Sequence, residues 1–300
     1  MEMNIKTFFG TNSIALNDID LFLSAGRGRG TNDANNKRRE DILTFLHDLP
    51  EPYCSDSRWT TLSGKWRTFL TTLCAVPYDT VCVTKKGGRA LNYDFDIVFK
   101  YEGSMVHSAK IEFKHNAASI SSLPQYLSIA EKTPYLPSPY ALFYYRHALD
   151  KIRAMYEDVP KPDIDTYMKC VYSNNYKKHE LFQTLYEADC ECSVPEERVR
   201  LVDESIATYL EENKHLLDMK LLTKDIRERQ TGKVFVLWDL TTFRSDTIRD
   251  DEMEIVSVEG VKNGRVLVAV SKAGTRHNML LRWKNHIGVL YPAWQISLSR

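Results

Sequence analysis

Apolar positions recur along the chain with two periods, and the changes of period mark out the elements. A short apolar stretch at Ile19, Leu21, Phe22 and Leu23 runs into AGRGRGTNDANNKRRE, whose Gly, Asn and Arg content predicts a basic loop. From Lys37, Ile42, Leu43, Phe45, Leu46 and Leu49 fall on one helical face that ends at Pro50, and a second helix is predicted from Ser63 to Ala75. Beyond Pro77 the period shortens. TVCVT (Thr80–Thr84), DFDIVFK (Asp94–Lys100) and KIEFKH (Lys110–His115) are β-branched or aromatic runs separated by Gly-containing turns, as expected of three consecutive antiparallel strands. Helices are then expected over Ser121–Lys132 and Pro139–Glu157, and a further strand over Tyr167–Ser173.

After about residue 175 the pattern is strongly helical, notably over Pro195–Leu217 and Asp218–Arg229, with charged residues on the outer faces. From Lys233 onward the chain turns β-rich, with four or five strands and turns at Lys262-Asn263-Gly264 and Lys272-Ala273-Gly274. These strands either extend the first sheet or form an appended one. The expected organisation is an α/β core with an N-terminal basic segment over residues 1–190. A helical and β-rich part over 191–300 is a candidate for target recognition.

Composition narrows the function classes. Forty Lys+Arg balance forty Asp+Glu, so attraction to nucleic acid or to a membrane has to come from local patches rather than from a global field. No run approaches the roughly 18 apolar residues of a membrane span, and the first residues are broken by polar and acidic side chains; a soluble intracellular protein is expected. The six cysteines are too scattered for a disulfide framework, and Cys190 and Cys192 lack the spacing and second pair of a zinc site. Gly26, Gly28 and Gly30 do not make a phosphate-cradling loop.

The informative chemistry lies in the hairpin region. Strand alternation puts Asp94 and Asp96 on one face, and Glu112 and Lys114 share a face of the next strand, while Phe95, Ile97, Phe99, Ile111 and Phe113 take the opposite side. Carboxylates gathered in this way repel one another unless a cation neutralises them, and hard oxygen donors favour Mg²⁺ or Mn²⁺ over zinc. The bland alternative is a solvated sheet face with Lys114 paired to a carboxylate, a contact worth under about 1 kcal/mol.

Asp96, Glu112, Phe113 and Lys114, on adjacent strands within an α-β-β-β-α-β order, resemble the PD-(D/E)XK, or restriction-endonuclease-like, nuclease superfamily. The resemblance spans Ser63–Ser173, about a third of the chain, and its motif is short. It implies a mixed central sheet flanked by helices. It also implies that Asp96 and Glu112 hold one or two divalent ions and that Lys114 helps activate the water that attacks a phosphodiester. Asp94 is the rival for the role given to Asp96, which is preferred because Ile97-Val98-Phe99 follows it directly. By the same resemblance Gln125 would be a helical accessory to catalysis, although no Tyr stands four residues later, and Glu40 or Asp41 would be the acid of the first core helix.

A nuclease in a neutral chain must gather positive charge locally. Lys85, Lys86 and Arg89 in the turn beside the acids, and Arg38 and Arg39 with their neighbours near the N-terminus, are candidate phosphate contacts. His115 and Asn116, which follow Lys114, are candidates for hydrogen bonds to phosphate. Trp283, Tyr291, Trp294 and Gln295, with Arg282 and Lys284, form a second set suited to stacking on or reading bases, although strand tryptophans more often fill cores. The expectation is a Mg²⁺-dependent or Mn²⁺-dependent endonuclease acting on DNA, of restriction or homing type. Cutting both strands would call for a second active site and hence a homodimer. The competing expectation is a non-catalytic nucleic-acid-binding or assembly protein with the same fold.

Overall fold

The computed structural model describes residues 14–25, 32–86, 92–131, 135–156, 159–173, 179–284 and 286–300. Among the described residues, after a single helical turn at Asp20–Leu23, the helices in chain order are α1 (Asn32–Phe45), α2 (Ser57–Leu73), α3 (Tyr140–His147), α4 (Leu149–Arg153), α5 (Ile164–Val171), α6 (Glu180–Cys190), α7 (Glu196–Asn213), α8 (Met219–Gln230) and α9 (Asp250–Met253). The strands are β1 (Thr80–Lys85), β2 (Phe95–Tyr101), β3 (Ser104–His115), β4 (Leu127–Ala130) and β5 (Lys233–Trp238). They continue with β6 (Phe243–Asp246), β7 (Ile255–Lys262), β8 (Val266–Ser271), β9 (Arg276–Trp283) and β10 (Pro292–Ser299). The protein is a mixed α/β structure with two five-stranded sheets flanked by helices.

The chain divides into two units that do not follow the expected boundary near residue 190. Unit 1 is residues 1–122 with 229–248, and unit 2 is 123–228 with 249–300. The sheet of unit 1 has the order β1-β2-β3-β5-β6. β1, β2 and β3 form an antiparallel meander, β5 lies parallel to β3 with Lys110 beside Lys233, and β6 closes the edge antiparallel to β5. Thus the fourth strand of this sheet is KVFVLW at Lys233–Trp238, and Tyr167–Ser173 is not a strand. That segment is α5, because the Asp163 carboxylate caps the helix by accepting from the Thr166 N–H, and Tyr167 and Val171 are buried one turn apart.

One face of the unit 1 sheet carries Phe95, Ile97, Phe99, Ile111, Phe113, Val236 and Trp238, which join Ile42, Leu43 and Leu46 of the α1 segment and Trp59, Trp66 and Phe69 of α2 in a single buried cluster. Each such side chain contributes about 1.5–3 kcal/mol on burial, so alternation along β2 and β3 commits the opposite face to polar residues. α2 begins where Asp56 accepts from the Arg58 N–H. The segment before α1 is pinned to this core by polar side chains: Tyr53 Oη donates to Ile14 O, Trp59 Nε1 to Leu16 O, Arg39 Nε to Leu21 O and Trp238 Nε1 to Phe22 O.

Unit 2 holds the sheet β4-β10-β9-β8-β7, antiparallel throughout. The helix expected over Ser121–Lys132 is instead a single turn at Ile120–Ser122 followed by β4. Pro124 interrupts the helical reading, and Leu127 and Ile129 alternate inward against β10 with period two. The helix expected over Pro139–Glu157 breaks at Ala148 into α3 and α4. Trp294 is fully buried and Trp283 nearly so, which removes both from any base-stacking role. At the end of β4, Glu131 is completely buried. It accepts from the Tyr140 N–H at 2.9 Å, from Tyr209 Oη at 3.3 Å and from Tyr172 Oη at 3.3 Å, tying α3, α7 and the end of α5 together. Burial pushes its carboxyl up to about 8 against the opposing pull of these donors.

Candidate active site

The polar face of the unit 1 sheet brings together Asp94, Glu112 and Lys114, with Lys233 from β5. Asp94 stands just ahead of β2. Its N–H donates to Ile111 O and its Oδ2 accepts from the Phe113 N–H at 2.8 Å, which sets the carboxylate against β3 at the level of Glu112. Burial, followed by the nearby charge of Glu112, raises the Asp94 carboxyl to about 6, and Glu40 on α1 adds to the rise; Phe113 N–H and Lys114 oppose it. This group carries a cost that a further cation would relieve.

Glu112 is bracketed by two ammonium groups. Lys114 Nζ lies 2.6 Å from Oε1 and Lys233 Nζ lies 2.6 Å from Oε2. Burial works to raise the Glu112 carboxyl, but the two lysines outweigh it and hold the group below its ordinary range. Lys233 is only 5% exposed and also donates to Asn92 O at 2.9 Å. Burial pushes its ammonium down in spite of Glu112. A lysine opening the apolar run KVFVLW reads as a solvated strand start, so the sequence offers no signal for its role. Only the parallel pairing of β5 with β3 brings it to Glu112.

Asp96 is placed differently from the expectation. It pairs with Lys86 Nζ at 3.1 Å, and the strand register sets it beside Lys110 of β3 and Thr84 of β1, away from Glu112. Asp94 is therefore the carboxylate that shares a site with Glu112. Glu40 and Asp41 both engage Lys85 Nζ, at 3.1 and 2.8 Å. Burial would lower Lys85, but these two acids hold it above its ordinary value.

Most of the expected phosphate contacts are already occupied. Lys85 and Lys86 are held by acids, and Arg38 pairs with Asp18 at 3.4 Å. Arg39 is 1% exposed and is spent on Leu21 O and the Asn36 side chain. Arg89 lies outside the described residues. His115 packs edge-on against Phe22, and burial, with the Arg39 charge, lowers its imidazole to about 4, so it is a neutral packing residue. Asn116 adopts φ 54° and turns the chain out of β3, where the Ala117 N–H bonds Trp238 O. Gln125 is exposed in the stretch before β4, not on a helix, and belongs to unit 2.

Among the described residues no group of three or more His, Cys, Asp or Glu side chains is arranged to hold a metal. The hard oxygens of Asp94 and Glu112 nevertheless suit Mg²⁺ or Mn²⁺, since Mg²⁺ commonly takes one or two carboxylates and completes its shell with water and substrate phosphate. No helix among the described residues is long and apolar enough to cross a membrane. No family model, curated protein or solved structure matches the chain.

Proposed function

We propose that the chain is a Mg²⁺-dependent or Mn²⁺-dependent deoxyribonuclease with a restriction-endonuclease-like core formed by unit 1. The observation that carries the reading is the joint placement of Asp94, Glu112 and Lys114 on the polar face of a β1-β2-β3 meander extended by a parallel strand, with Glu40 of α1 within electrostatic reach of Asp94. In this reading α2 and the meander supply the α-β-β-β part of an α-β-β-β-α-β order, residues 123–228 of unit 2 are inserted after it, and α8, which ends that insertion, precedes β5 in the chain. Asp94 and Glu112 would hold the ion, which when bound supplies Lewis-acid stabilisation of the phosphate charge and a more acidic water. Lys114 orients that water and offsets negative charge on the phosphodiester. Unit 2 is the candidate for target recognition.

A specific observation favours the second reading, a binding or assembly protein without turnover: both oxygens of Glu112 are engaged by lysines. Supercoiled plasmid incubated with the chain in Mg²⁺ or Mn²⁺ separates the two. Nicked or linear DNA, lost in EDTA and in Asp94→Ala and Lys114→Ala variants, is the expected result. Nicks without linear product would indicate one active site per encounter, and linear product two. Intact plasmid and intact single strands under every condition would reverse the choice in favour of the binding protein.

A further inference from the structure

The two lysines on Glu112 are not equivalent. Lys114 is about a quarter exposed, and Glu112 Oε1 is its ion-pair partner. An ammonium with access to water can exchange that contact for hydration at little cost. Lys233 is buried at the first residue of β5, its Nζ 4.9 Å from the Phe235 ring centroid, and it joins two separate stretches of chain. It bonds Glu112 Oε2 on β3 and Asn92 O in the segment that leads into Asp94. Arg229, just ahead of β5, donates to the side-chain oxygen of the same Asn92 at 3.3 Å. Withdrawing Lys233 would break both bonds and strand a charge away from water, which is far costlier than moving Lys114.

We infer that Lys233 is a positioning residue that fixes Glu112 through Oε2 and secures the approach to Asp94, while Lys114 is the partner that gives way at Oε1 when a cation binds. The inference rests on the reading of this face as a metal-dependent site. A carboxylate held by one oxygen presents the other in a single orientation, the role that outer-layer partners play for metal ligands elsewhere, where their loss costs about 10–100-fold in metal affinity or activity. A lysine that merely competed with the ion would have the opposite effect on removal, so the sign of the change separates the two roles.

The test is Mn²⁺ binding to the full chain, followed by the electron paramagnetic resonance of free Mn²⁺, with plasmid cleavage measured in parallel. Lys233→Met is expected to weaken Mn²⁺ binding by about 10–100-fold, and Lys233→Arg to recover most of the loss. Lys114→Met is expected to bind Mn²⁺ at least as tightly as the unmodified chain while losing turnover. Circular dichroism checks folding; should Lys233→Met fail to fold, Lys233→Gln against Lys233→Arg carries the same comparison. Binding by Lys233→Met or Lys233→Gln at or above the unmodified level overturns the inference and leaves the site reading standing. Absence of Mn²⁺ binding by the unmodified chain, with no cleavage, overturns both.

Discussion

Each unit keeps a shielded carboxylate, and the two are treated in opposite ways. Glu112 of unit 1 meets two ammonium groups and is held below its ordinary range; Glu131 of unit 2 meets a backbone N–H and two tyrosine hydroxyls and is raised to about 8. Burial raises both, so the difference comes from the partners: charged donors reverse the effect, whereas neutral donors only reduce it. The consequence is a division of labour. Glu112 stays ionised beside an exchangeable lysine, which suits a cation site, while Glu131 stays protonated at neutral pH and works as a tie between α3, α5 and α7.

The contrast can be broken most strongly at the first site. Asp94→Asn is expected to lower cleavage at least 100-fold, because it removes one of two candidate ion ligands. Asp96→Asn should stay within about tenfold, because its partner is Lys86; initial rates of plasmid nicking decide between them. Reversal of that order would return the ligand role to Asp96. A smaller effect is expected in unit 2. The folded-state value of Glu131 lies above its ordinary 4.5, so its contribution to stability is fully present below that pH and is lost as pH rises through about 8. The expected loss is about 1 kcal/mol per pH unit across this window, and Glu131→Gln should flatten it in denaturation curves recorded from pH 5 to 8. The smallest effect calibrates both: Arg38→Ala removes a partly exposed pair with Asp18 and should cost under about 1 kcal/mol by the same denaturation measurement.

Local pattern made the elements of unit 1 legible, because β2 and the second half of β3 alternate and α1 and α2 carry apolar faces bounded by proline. It made the acids legible as a group as well, since three carboxylates on the polar side of two strands are unusual. Which aspartate mattered was not legible. Asp94 and Asp96 share a face, and they are distinguished by tertiary partners, the Phe113 N–H for Asp94 and Lys86 for Asp96. Tyr167–Ser173 misleads because its aromatic and β-branched residues satisfy a strand, while the deciding signal is the cap at Asp163, three residues before the hydrogen-bonded Thr166. Lys233 and the division into units depend on pairing between distant segments, which no window of sequence contains. The candidate basic patches failed for a related reason: Lys85 and Lys86 are charged as expected, but their partners Glu40, Asp41 and Asp96 arrive by tertiary folding.

The insertion of residues 123–228 of unit 2 between β3 and β5 also has a meaning in time. Glu112 and Lys233 are 121 positions apart, so the parallel pairing that joins them closes a very long loop. Such distant pairings slow folding, and during synthesis the meander emerges long before its fourth strand. On the ribosome, Glu112 therefore waits with Lys114 alone until the first part of unit 2, residues 123–228, has been made. The lysine that fixes it arrives only then, ahead of strands β7–β10 of unit 2.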